Sequence, residues 1–177
     1  GSNTGINYQL FRGAATVGAP MPGTGALLNF GVQTTGGNYT VVATNPATGC
    51  STSMSGSATI TVNPLPATYT VTGGGSFCAG GSGVNVLLSN SQSGVNYTVK
   101  LAGVPSGSPM GGTCAALDFG PRTAPGTYIV EATDATTSCP STMAGSAVIS
   151  VNPVPTAYAV TGGGNYCTGG TGVHVGL

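Results

Sequence analysis

Charge is almost missing from this sequence. Its 177 residues include three Lys or Arg, three Asp or Glu and a single His, so 3% are charged, where soluble domains carry about 25%. No basic patch can neutralise phosphates, which argues against nucleic acid as a partner. Anionic membranes are disfavoured for the same reason. Repulsion between copies is weak as well, so a surface of Thr, Ser, Asn and Gly is free to pack against itself. That favours an assembled extracellular material. Tryptophan is absent. No apolar run approaches the roughly 20 residues of a spanning helix, and no stretch holds a helical period. No charged start with an apolar stretch behind it marks a leader, so secretion would use one upstream or already removed.

What is present is glycine, with 32 Gly and 12 Pro. Alone, that composition would suggest disorder. A 40% apolar fraction, placed at regular positions, argues for a packed fold.

The regularity is an internal repeat. Val62-Asn63-Pro64-Leu65-Pro66 returns as Val151-Asn152-Pro153-Val154-Pro155. Tyr69 and Val71 through Gly75 return as Tyr158 and Val160 through Gly164. Cys78 returns as Cys167 (167 − 78 = 89), and Cys50, Tyr39 and Phe30 return as Cys139, Tyr128 and Phe119 at the same offset, without a gap. About half of the aligned positions are identical. Such a period has the size of one small β-sandwich.

The repeats also separate inward from outward positions. Tyr39, Val41 and Ala43 recur as Tyr128, Val130 and Ala132, whereas Thr40 and Val42 between them become Ile129 and Glu131. The same alternation runs through Ala26, Leu28 and Phe30, through Ala58, Ile60 and Val62, and through Val84, Val86 and Leu88. A period of two, broken by Gly, Pro, Ser and Asn, reads as half-buried strands. In the complete repeat it predicts strands near 68–72, 84–88, 95–101, 113–119, 127–133 and 145–151, with a short one near 104–107. The fold class is therefore all-β: tandem immunoglobulin-like β-sandwiches. The core is expected to include Tyr39, Val41, Phe30, Tyr128, Val130 and Phe119, with Tyr39 and Tyr128 as corner tyrosines. Prolines that end each repeat stop the last strand and stiffen the linker.

The repeat is out of phase with the chain. Residues 1–66 form a repeat lacking its first two strands, 67–155 a complete one, and 156–177 the first two strands of another. Two readings follow: a window on a longer array, or a subunit whose last strands complete the next copy. Both predict a fibre, because head-to-tail contacts that do not close make filaments.

Five cysteines in such a chain suggest an oxidising compartment. A Cys78–Cys139 bridge within the repeat is the expected staple, closing a loop of about 60 residues for roughly 2–4 kcal/mol. Cys50 and Cys167, the same positions in the other repeats, would bond a neighbouring repeat or copy. Cys78 and Cys139 stand, however, on loops at opposite ends of a standard sandwich. Either the Gly-rich segment 73–83 folds back, or the bridge joins adjacent domains. Cys114, whose counterpart is Gly25, is expected as a small buried residue, with a cross-link as the alternative.

Other motifs carry little chemistry. The Gly-rich runs at 73–75 and 80–83 lack the helix and Lys of a phosphate cradle and read as turns. His174 stands where Asn85 stands and has no company for a metal or a base. Asp118, Glu131 and Asp134 are replaced by Asn29, Val42 and Asn45, so no calcium or hydrolytic carboxylate pair recurs. No Ser/His/Asp group repeats. Neither catalysis nor a cofactor is expected. Asn38-Tyr39-Thr40 and Asn96-Tyr97-Thr98 match a glycosylation pattern at unrelated repeat positions.

Gly126-Thr127-Tyr128-Ile129-Val130-Glu131-Ala132-Thr133-Asp134, then Cys139, and Phe77-Cys78-Ala79-Gly80-Gly81 with Gly83-Val84, resemble the immunoglobulin-like repeats of giant Bacteroidota surface proteins, gliding-motility adhesins among them. The resemblance covers the whole chain. It implies a sandwich fold, export to the cell surface, and a role in adhesion, matrix or motility, with no catalytic residues. The low charge departs from the acidic, calcium-binding members.

The expected function is a structural repeat of an extracellular or cell-surface filament whose partners are copies of itself. An adhesin binding glycan or another surface is one alternative. A spacer in a larger secreted enzyme is the other.

Overall fold

The computed structural model describes all 177 residues, Gly1–Leu177, and is built of strands and loops. The chain divides into two compact units, Gly1–Pro64 and Leu65–Leu177.

In unit 1, β1 (Asn7–Arg12), β2 (Ala15–Pro22), β3 (Gly37–Thr44), β4 (Ser51–Ser53) and β5 (Ala58–Ile60) form one antiparallel sheet, ordered β2-β1-β3-β4 with β5 also on β3. Tyr8 and Leu10 on β1 and Tyr39, Val41 and Ala43 on β3 alternate onto one face, paired Tyr8↔Ala43 and Leu10↔Val41. The segment Leu28–Gln33 has the apolar alternation of a strand, yet it forms none. Its counterpart in unit 2 is a strand only because another strand lies beside it.

Unit 2 continues with β6 (Val71–Gly73), β7 (Gly75–Cys78), β8 (Val84–Leu88), β9 (Val95–Leu101), β10 (Val104–Pro105), β11 (Met110–Gly111), β12 (Leu117–Arg122), β13 (Gly126–Asp134), β14 (Pro140–Thr142) and β15 (Ala147–Asn152). One sheet runs β10-β9-β13-β15-β7, with β11 on β9 and β14 on β13; the facing sheet is β12-β8-β6. Between them lie Val71, Val86, Leu88, Val95, Tyr97, Val99, Leu117, Phe119, Tyr128, Val130, Ala132, Met143, Ala147 and Ile149, all buried. Two facing sheets with this strand order make an immunoglobulin-like sandwich. The Tyr128 hydroxyl donates to the Ala124 carbonyl at 2.9 Å, and in unit 1 Tyr39 donates to Thr35 at 2.7 Å. These are the corner bonds of the fold.

The sequence pattern misses β7. Gly73, Gly74 and Gly75 all have positive φ, a conformation that L side chains rarely adopt. A Cβ on Gly74 would meet the backbone of Val148 at 2.5 Å. The triple glycine lets the chain leave the β8 side as β6 and cross to the other sheet as β7, parallel to β15. A run that reads as a turn is therefore a change of sheet.

The last segment carries β16 (Thr161–Gly162) and β17 (Val175–Gly176), a two-stranded antiparallel ladder. Every residue from Asn152 to Leu177 is exposed.

Candidate functional site

The first candidates are the cysteines. All five are free thiols. Cys78 ends β7 opposite Asn152, where β15 leaves the sheet. Cys139 lies at the other pole: its carbonyl accepts from the Asp134 amide, and Thr133 pairs with Pro140. Because β13 pairs Gly126 with Ile149, the length of β13 separates the two levels. At about 3.3 Å per residue that is roughly 26 Å, against the 7 Å or so between Cα atoms that a disulfide tolerates. The expected Cys78–Cys139 bridge within the repeat is thus incompatible with the sheet. The Gly-rich segment does not fold back; it crosses to the neighbouring sheet and ends at the far pole.

Cys114 is also corrected. It is exposed, with φ of 61°, in a turn where Gly25 has φ of 83°. The position demands a left-handed backbone, which glycine meets without strain.

Several other polar side chains are bonded within the fold. Lys100 and Glu131 pair at 2.8 Å on the outer face of β9 and β13. Asp118 accepts from Asn85 at 2.8 Å. The Asp134 carboxylate accepts from the backbone amides of Thr137 and Thr136 and from the Thr137 hydroxyl, and those bonds hold its pKa below the ordinary carboxylate value. Asn45 makes the equivalent turn, accepting from the Ala47 amide, so the motif needs an oxygen and no charge. Burial is the main cause that pushes the Tyr97 phenol above its ordinary range, and Tyr69 and Cys114 add to it. No three His, Cys, Asp or Glu side chains gather to hold a metal ion. No helix is long and apolar enough to cross a membrane.

The feature that stands out is the face of unit 1. Positions that are buried in unit 2 are uncovered there. Met143 is 3% exposed and Met54 37%. Val130, Phe119, Leu117 and Ile149 are buried, whereas Val41, Phe30, Leu28 and Ile60 are half-exposed. Two clefts open on this face: one of about 430 Å³ beside Ile6, Tyr8, Ala43, Cys50 and Met54, the other of about 290 Å³ beside Leu10, Phe30, Tyr39, Val41, Met54 and Ala58. In unit 2, β6 and β8 cover the equivalent face through Val71, Val86 and Leu88.

Residues 156–177 repeat the sequence of 67–88, the segment that carries β6 and β8. Their ladder pairs Thr161↔Gly176 and Gly162↔Val175, the register of Thr72↔Leu87 and Gly73↔Val86 between β6 and β8. Gly163 donates to the His174 carbonyl at 2.8 Å as Gly74 does to Asn85 at 2.9 Å, and Gly170 donates to Cys167 as Gly81 does to Cys78. This strand pair already has the shape of the covering pair, but its apolar side chains face solvent. Val86 is 0% exposed and Val175 70%; Leu88 is 0% and Leu177 87%. The internal repeat shows the correspondence, and exposure shows its consequence.

No protein-family model matches the chain, and no curated protein matches it. Among solved structures, it is similar to the Sidekick-1 immunoglobulin domains 1-4, at 18% identity and a TM-score of 0.31. The match covers 84% of this chain and 43% of that one. The immunoglobulin-like assignment rests on strand order and packing.

Proposed function

We propose that the chain is a structural repeat of an extracellular filament, in which a strand pair with the sequence of 156–177 from one copy completes unit 1 of the next. In a longer array the equivalent pair would arrive from the preceding repeat of the same polypeptide. The observation that carries this reading is the contrast between Val86 and Leu88, fully buried, and their exposed equivalents Val175 and Leu177. Burying a Val or Leu side chain is worth roughly 1.5–3 kcal/mol, and the tail offers several such side chains in the register that unit 1 lacks. Strand addition of this kind satisfies sheet edges as well as apolar faces. A repeated contact that does not close yields a filament.

The exposed aromatics favour the structural role over an adhesive one. Tyr158 and Tyr166 are exposed in the tail, yet their counterparts Tyr69 and Phe77 pack against the core of unit 2. They are core residues awaiting a partner. The resemblance to Bacteroidota surface repeats suggests the cell surface as the place.

The test is sedimentation velocity and electron microscopy of the purified chain. Concentration-dependent linear oligomers are expected, and Val175→Asp should abolish them while unit 2 stays folded. A free peptide of residues 156–177 in excess should cap growth. A chain that stays monomeric at high concentration would sink the reading.

A further inference from the structure

Each repeat places one thiol at each pole of its sandwich, and the chain path decides which thiols meet. The chain enters unit 2 at the Cys139 pole: Thr70 bridges to Ala144 and the Ala67 amide donates to the Gln92 side chain, next to the Gly94 carbonyl that binds Ala135. It leaves at the Cys78 pole, where Asn152 pairs with Cys78 and the Ala79 amide donates to the Asn152 carbonyl. Pro153 and Pro155 follow at once. In unit 1 the equivalent of Cys139 is Cys50. It is exposed, and it stands on the rim of the 430 Å³ cleft beside Tyr8. The counterpart of Tyr8 is Tyr97, and Tyr69 lies close enough to Tyr97 to raise its pKa. Tyr158, the equivalent of Tyr69, therefore has its socket in the cleft that Cys50 borders.

We infer that Cys78 of one copy and Cys50 of the next form a disulfide across each junction, locking the donated strands in place. This rests on the strand-donation reading. When the tail of one copy enters unit 1 of another, the Cys78 pole of the donor faces the Cys50 pole of the acceptor. Only the linker from Asn152 to Thr156 lies between, roughly 12 Å at the 3.1 Å rise of a proline-rich segment. Both thiols are exposed in turns at the strand ends, and the linker has to fold enough to bring them within the 7 Å or so between Cα atoms that a disulfide tolerates. Cys139 and Cys167 stand one repeat on from Cys50 and Cys78 and fall under the same rule. The bond forms by exchange with an oxidised low-molecular-weight disulfide such as glutathione disulfide. Two thiols lose two protons and two electrons, one S–S bond forms, and the oxidant is reduced to two thiols. A sandwich held by noncovalent strand addition becomes a covalent chain, which suits an oxidising exterior.

The experiment uses the full chain, assembled with glutathione disulfide and then denatured without reductant. A variant with Cys114, Cys139 and Cys167 replaced by Ser isolates the pair. A ladder in steps of one chain mass is expected, collapsing on reduction, and peptide mapping should join Cys50 to Cys78. Adding Cys50→Ser should remove every species above a dimer. Native sedimentation of each sample separates the two ideas. Intact assembly with no ladder, or a mapped Cys78–Cys139 bridge within one wild-type chain, overturns the disulfide alone. Reduced wild-type protein that stays monomeric in native sedimentation, and that gives no ladder on oxidation, overturns strand donation and the disulfide with it.

Discussion

At the scale of the residue, the tyrosines and one aspartate carry the tests. Tyr128 is buried and its hydroxyl has a defined acceptor in Ala124. Tyr128→Phe should destabilise unit 2 by about 1 kcal/mol, the net worth of a typical hydrogen bond, as read by urea unfolding. Asp134 has a lowered pKa because folded backbone amides and a hydroxyl bind its charged form. Its contribution to stability is present above the ordinary carboxylate pKa, near 3.9, and is lost as pH falls through the lowered folded value. Asp134→Asn, which copies Asn45, should leave stability at neutral pH nearly unchanged and flatten the acid limb of a Tm-against-pH curve. Tyr97 is the opposite case. Its folded pKa is raised, so its contribution is complete below about pH 10 and is lost as pH rises through the folded value.

At the scale of the element, identical residues should behave differently according to what lies beside them. Leu88→Ala should cost unit 2 about 2–5 kcal/mol, as deletions in a packed core do. Leu177→Ala at the equivalent position should leave the stability of the unassembled chain unchanged and weaken its assembly. Thermal unfolding of the monomer and sedimentation of the oligomer would separate the two effects. Gly74→Ala is expected to be severe, because the added Cβ meets the Val148 backbone and not a movable side chain; expression and Tm would report it. Alternation predicted the inward faces of β8 and β13, each of which presents every second residue to the core of unit 2. It over-predicted a strand through Ala26, Leu28 and Phe30, because a strand also needs a neighbour for its backbone hydrogen bonds. It overlooked β7, because the glycines that let the chain change sheets also look like a turn.

For the whole molecule, near-absence of charge shapes how copies meet. With three cationic and three anionic side chains, association should depend on apolar burial and backbone pairing. The dissociation constant should therefore change little between low and high sodium chloride, unlike that of a charge-steered complex. The sequence by itself determined the repeat, the all-β class and the equivalence of the cysteines. All of these follow from spacing, which a linear pattern records completely. Tertiary structure decided which equivalent residues are covered, which pole each thiol occupies and that Cys78 and Cys139 lie apart. Those depend on strand direction and sheet order. Two residues at the same repeat position share a sequence context, but the neighbouring strand that buries one and leaves the other bare is supplied only in space.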